Sequence, residues 1–175
     1  MITTKIFDAQ RHAMQTISGP LLELASQAGG ADFAVIRSIA PPGIVVPLHS
    51  HAERETMVII DGMFSAWLDG AWADYGPGEI IDVPPNVPHA LRNNAEEEVA
   101  LVLVTTRRMA QFFTEVSVPP ADAAMTPARL AHFSDVVAAY GFWNAGPEEQ
   151  AAIGIELPGR SSEGSADPTT SNARI

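Results

Sequence analysis

The stretch LHSHAERE, Leu48 to Glu55, sets His49 and His51 one residue apart and follows them with two carboxylates, Glu53 and Glu55. Alternate residues of a strand face the same side, so an extended segment here projects both imidazoles together. Glu55 comes after a short irregular break and can return to that face on the next strand. His89 lies far along the chain, and a strand pairing could bring it to the same interior. Imidazole nitrogens with a carboxylate suit a divalent first-row ion such as Fe, Mn, Ni, Co or Zn. Four such ligands around an octahedral ion leave two positions for water, substrate or dioxygen, which belongs to catalysis more than to structure. The plain alternative is a polar loop between strands whose histidines do nothing chemical.

A wider frame surrounds these residues. Counting from Gly43, the pattern is Gly-x5-His49-x-His51-x3-Glu55-x6-Gly62, and later Gly78-x5-Pro84-x4-His89-x3-Asn93. Glu53 is in phase with Glu55, but the six-residue spacing to Gly62 selects Glu55, leaving Glu53 as a carboxylate at the rim or supporting a ligand from behind, or as simply solvated, the last being favoured. The elements that must carry the frame are short and apolar. LLELAS, FAVIRSIA, GIVVPL, TMVII, MFSAWL, EIIDV and VALVLVTT read as strands, separated by Gly, Pro, Asn and Asp. Asp61-Gly62 and Asp69-Gly70, each between apolar runs, predict hairpin turns. Closely spaced strands with such turns predict an all-β sandwich or barrel.

Past Pro120 the pattern changes. Thr126 offers an N-cap, Pro127 suits the first helical position, and Gly141 supplies a stop. Between them Leu130, Phe133, Val137 and Tyr140 recur at helical spacing and predict one apolar face. The final stretch, GRSSEGSADPTTSNARI, is polar and reads as a flexible tail.

Both frames resemble the two motifs of the cupin superfamily. GIVVPLHSHAERETMVIIDG matches every fixed position of the first, and GEIIDVPPNVPHALRN matches the second except that Asn86 stands where the family usually has Gly. Asn tolerates left-handed backbone, so the turn is expected to survive. The resemblance, to single-domain cupin type-2 barrels, covers about Leu21 to Thr106. It implies a double-stranded β-helix, or jelly-roll barrel, with a C-terminal amphipathic helix, and His49, His51, Glu55 and His89 as metal ligands. The implied layout is an arm over 1–20, a barrel over 21–120, a helical extension over 121–158 and the tail over 159–175. RMAQFFTEV followed by RLAHFSDVVAAYGFWNAGP is similar to the extension of quercetin-dioxygenase-like cupins, which carry a phenylalanine-rich strand or loop after the barrel and then a helix ending in Tyr-Gly.

From that similarity the expected activity is a metal-dependent dioxygenase acting on a small enol or phenolic, flavonol-like substrate. The expected cofactor is one divalent transition metal, Fe, Mn, Ni or Co, with Zn also admissible. Glu55 is the natural catalytic base. Met57 and Ile59 share its inward face by alternation and are candidate pocket walls, while Phe112 and Phe113 either close the barrel mouth or pack in the core. The same ligand set in cupins serves isomerases, decarboxylases and lyases, and a non-catalytic ligand-binding barrel is the remaining alternative. Asn93 reads as structural, Trp67 and Trp72 as pocket lining or barrel cover, and His12 and His132 have no assigned role.

Composition narrows the partners. Hydrophobic residues make up 46% of the 175, enough for one substantial core. Ten basic against 21 acidic residues give a formal net charge of −11, which argues against nucleic acid and anionic membrane surfaces. The expected partners are a small-molecule substrate and a second copy in a homodimer, the latter from the family resemblance. The absence of cysteine excludes thiolate ligands, cysteine nucleophiles and disulfides. The amino-terminal residues lack a signal-peptide pattern, and no apolar run approaches the roughly 20 residues that span a bilayer. A cytoplasmic location is expected.

Overall fold

The computed structural model describes residues 13–26 and 32–156. His12 and the expected tail over 159–175 lie outside them, as does most of the expected arm. Strands run in the order β1 (Met14–Gln15), β2 (Leu21–Ser26), β3 (Phe33–Ala40), β4 (Val45–Ser50), β5 (Glu55–Asp61), β6 (Phe64–Leu68), β7 (Ala71–Tyr75), β8 (Ile80–Val83), β9 (His89–Arg92) and β10 (Val99–Thr106). Helix α1 (Arg107–Val116), a 3₁₀ turn at Pro120–Asp122, α2 (Pro127–Tyr140), β11 (Trp143–Asn144) and α3 (Pro147–Ala152) follow.

The strands form two antiparallel sheets, ordered β1-β2-β3-β10-β5-β8 and β11-β4-β9-β6-β7. Alternation decides which side chains meet between them. On β10 the buried positions are Val99, Leu101, Leu103 and Thr105, and on β5 Glu55, Met57 and Ile59. These pack with Ile36, Ile81 and Val83 from the same sheet and Phe64, Ala66 and Leu91 from the other. Each fully buried aliphatic side chain contributes about 1.5–3 kcal/mol, so this apolar layer is what closes the jelly roll. Among the described residues, no helix is long and apolar enough to cross a membrane.

Three local expectations need correction. Asp61-Gly62 is not a hairpin, because β5 and β6 belong to different sheets; the chain crosses over there. Gly62 is required for another reason: at φ +82°, a Cβ would lie 2.8 Å from the carbonyl oxygen of Glu98. Asp69-Gly70 is a hairpin, with positive φ at both residues and Leu68 paired to Ala71, as a type I′ turn requires.

The phenylalanine-rich RMAQFFTEV is helix α1 rather than a strand or loop. Its N-cap is Thr106, the last residue of β10, whose hydroxyl accepts from the Met109 amide. Met109, Phe112 and Val116 fall on one face and bury together against α2, which a period-two strand would not allow.

Helix α2 has the expected Thr126 cap, Pro127 start and left-handed Gly141 stop. Its buried face, however, is Phe133, Val136, Val137 and Tyr140, while Leu130 is 52% exposed. The apolar contact with α1 begins one turn after Leu130. The first turn is held instead by Arg129, which donates to the carbonyls of Ala123 and Gln15.

Candidate metal centre

The two sheets supply the candidate residues from three strands. His49 lies on β4, His51 just beyond its end, Glu55 opens β5 and His89 opens β9. The β4–β9 register shifts between Val46 and His49, after which His49 pairs directly with His89. His89 therefore arrives from the neighbouring strand. Ring centroids stand 4.2 Å apart for His49–His89, 5.0 Å for His51–His89 and 5.4 Å for His49–His51.

Each imidazole is fixed by a carbonyl two residues away. His49 Nδ1 lies 2.7 Å from Pro47 O, His51 Nδ1 2.9 Å from Glu53 O and His89 Nδ1 2.9 Å from Val87 O. A carbonyl only accepts, so in all three rings Nδ1 carries the proton and Nε2 presents its lone pair. The Nε2 atoms of His51 and His89 are buried and have no hydrogen-bond partner among the described residues. Buried polar atoms are rarely left this way, and each costs about 1–3 kcal/mol unless something else satisfies it.

One ligand atom from each of the three rings falls within 4.8 Å of the others. Glu55 Oε2 adds 3.9 Å to His51 Nε2 and 3.7 Å to His89 Nε2. Donors bound to one first-row ion at about 2.1 Å stand roughly 3–4 Å apart; both Glu55 distances fall in that range, and the imidazoles lie close enough to converge on one divalent transition metal.

The electrostatics agree with that fit. Burial, reinforced by the facing His89 and His51 rings, lowers the His49 pKa from 6.5 to about 3. His51 is also lowered, chiefly by burial. Burial pushes Glu55 upward, but its neighbours His89, His51 and His49 more than offset this and hold its carboxyl below the ordinary range. Neutral His49 and His51 beside an anionic Glu55 are in the protonation states a cation needs.

Other predicted residues fall in several places. Met57 and Ile59 share the inward face of Glu55, 2% and 0% exposed. Phe112 packs against Phe142, Tyr140 and Phe133, with Phe142 in turn 5.2 Å from the His51 ring. Phe113 lines a cavity of about 60 Å³ with Met14, Leu22, Ile36 and Ala110, which none of the three histidines touches. Trp67 and Trp72 pair across the β6–β7 hairpin and cover the outer side of the five-stranded sheet, with Leu48, Ala90 and Ile155.

Asn93 is fully buried and ties a turn, donating to Ala40 O and Glu97 O and accepting from Ala95 N. Asn86 takes the left-handed conformation at φ +62°, and its amide donates to His51 O. His132 is exposed on α2.

Phe142 escaped the sequence reading, and the favoured solvated reading of Glu53 needs correction. Phe142 lies against His51, and nothing in its spacing marks it. Glu53 is not solvated: its side chain is 5% exposed and pairs with Arg108, which is distant in sequence. Its phase with Glu55 was the available signal for burial.

A family model described as a cupin domain matches residues 36–105. No curated protein matches the chain. Among solved structures, a polyketide cyclase from Streptomyces resistomycificus is 20% identical, with 50% of this chain and 65% of that one covered and a TM-score of 0.48. A cupin 2 conserved barrel protein from Salinispora arenicola is 20% identical over 58% of this chain and 87% of that one, with TM-score 0.48. A sugar phosphate isomerase from Silicibacter pomeroyi is 22% identical over 51% and 60%, with TM-score 0.46. The chain thus spans less than two thirds of the cyclase and of the isomerase.

Proposed function

Residues 36–105 match the model of a cupin domain, and from that premise we propose that the chain is a metal-dependent cupin enzyme holding one divalent ion on His49, His51, Glu55 and His89. Its proposed reaction is dioxygenation of a small enol or phenolic, flavonol-like substrate. The observation that carries the metal is the pair of buried, unpartnered Nε2 atoms on His51 and His89 beside the Glu55 carboxylate. An ion of the Fe, Mn, Ni or Co type held by these residues would supply Lewis-acid and oxygen-activating chemistry.

The chain's own residues account for the rest. Three carbonyl-anchored imidazoles hold their lone pairs in place without reorganisation. Glu55 Oε2 lies 3.7 Å and 3.9 Å from the neighbouring nitrogens, and a swing off the ion would free the carboxylate to act as base. It takes the enol or phenol proton, leaving the electron pair on the substrate oxygen. Met57 and Ile59 continue the same face in apolar character, and Phe142 shields His51, so water is kept from reactive intermediates.

Elemental analysis of purified protein, with His49→Ala and His89→Ala as comparisons, tests this. The expected result is close to one equivalent of Fe, Mn, Ni or Co per chain, lost in both variants, and oxygen uptake with flavonols or simple enols. Metal without oxygen uptake overturns the dioxygenase reaction in favour of Lewis-acid isomerisation, decarboxylation or lysis. Failure to bind any of these ions after reconstitution overturns the enzyme reading.

A further inference from the structure

Glu53 stands on the far side of His51 from the proposed metal position. Its backbone carbonyl accepts from His51 Nδ1, and its side-chain Oε2 lies 3.7 Å from the same nitrogen. Glu53 Oε2 is buried with no hydrogen-bond partner among the described residues, while Oε1 is paired with Arg108. Arg108 in turn donates to Tyr140 O at 2.7 Å, and its guanidinium lies 4.7 Å from the Tyr140 ring centroid and 5.8 Å from that of Phe142. Phe142 closes the circuit against His51.

The two charges of this pair do not act equally on the centre. The Glu53 side chain is 5% exposed, so its field reaches His51 through low-dielectric protein. The Arg108 side chain is 46% exposed, and water and salt screen its field. The net effect at His51 is negative. We infer that Glu53 is a positioning residue that orients His51 through its main-chain carbonyl and strengthens its hold on a cation through its buried side-chain charge, and that Arg108 moderates this by partly neutralising Glu53. The inference rests on the metal reading above and deepens it.

The pair can be separated from a merely structural ion pair because its members should act in opposite directions. Metal-free protein is titrated with cobalt(II) against a chromophoric chelator at fixed pH and ionic strength, using wild type, Glu53→Gln and Arg108→Met. Glu53→Gln leaves the main-chain tether in place but removes the buried charge, and should weaken affinity by about 10–100-fold on Coulomb grounds. Arg108→Met should tighten it, by about 3–10-fold on Coulomb grounds.

Both variants should lower the melting temperature of the metal-free protein, since each breaks the pair. Arg108→Lys, which keeps the charge but loses the fork to Tyr140, serves if Arg108→Met does not fold; its affinity should stay within about twofold of wild type. Affinity shifts of the same sign for Glu53→Gln and Arg108→Met, or none, overturn the inference while leaving the metal centre standing. The same holds if Arg108→Lys departs well beyond that twofold range. Absence of cobalt binding by wild type overturns both.

Discussion

Gln150 provides the sharpest test of how the C-terminal segment supports the centre. It is 1% exposed, and its side-chain amide acts as a strand partner for Leu48, accepting from Leu48 N at 2.8 Å and donating to Leu48 O at 3.0 Å. Leu48 immediately precedes His49, on the edge of β4 that β11 covers only as far as Asn144. In a Gln150→Leu variant the Leu48 carbonyl keeps the Ala145 amide at 3.0 Å, so the Leu48 amide is the orphaned donor, while the weaker 3.4 Å bond from Gln150 Nε2 to Ala145 O is lost as well.

An orphaned buried donor costs about 1–3 kcal/mol, and each of the other two lost bonds about 0.5–1.5 kcal/mol. Burying leucine rather than an amide returns about 1 kcal/mol. The sum is roughly 1–5 kcal/mol, centred near 3, or a fall in melting temperature of roughly 6–12 °C at that centre for a chain of this size. Urea unfolding of the metal-free protein measures the first and calorimetry the second. Hydrogen exchange at the Leu48 amide should accelerate as well. A cost below about 0.5 kcal/mol with an unchanged denaturant slope would refute the idea that Gln150 anchors β4.

Two further outcomes follow from geometry and charge. Gly62→Ala should cost roughly 3 kcal/mol or more, because a Cβ there meets the Glu98 carbonyl at 2.8 Å as well as positive φ, whereas Gly43→Ala, at φ +75° with open space around it, should cost only about 1–2 kcal/mol; equal costs in urea unfolding would contradict this. For His49 the folded-state pKa of about 3 lies below the ordinary 6.5, so the unfolded chain takes up a proton that the folded one refuses. Stability is then full above pH 6.5 and declines as pH falls towards 3, and between pH 6.5 and 5 wild type should lose about 1–2 kcal/mol relative to His49→Gln. Parallel pH dependence of the two metal-free proteins would argue against the shift.

Much of this was legible because strand and ligand signals are local. The β-branched runs of β3, β5 and β10 and the capped start of α2 announce themselves within a few residues. So does the hairpin at Asp69-Gly70. Harder features depended on partners elsewhere. β9 is four residues long and begins with His89, so it has too little apolar alternation to read as a strand. Helix α1 follows β10 with no glycine or proline between, and Thr106 serves as the end of one and the cap of the other. The crossover at Gly62 reads as a hairpin until the sheet order is known. Glu53 appears solvated in sequence because Arg108, which makes its burial tolerable, lies on a helix after the barrel. Leu130 falls on the apolar stripe, yet α1 ends its contact with α2 before reaching it.

The three carbonyl tethers also bear on how such a site can change. Pro47, Glu53 and Val87 each anchor a ring through main chain, and main chain is present whatever side chain the position carries. The choice of exposed nitrogen is therefore made three times over, independently, by groups that neither titrate nor depend on residue identity. A network of side chains would have to be altered in concert, but here the wall around the imidazoles can be rewritten one residue at a time. His51, with Glu53 and Phe142 beside it, is the ring where such rewriting would be felt soonest. The same nitrogen set can thus be handed from one reaction to another while only its surroundings vary.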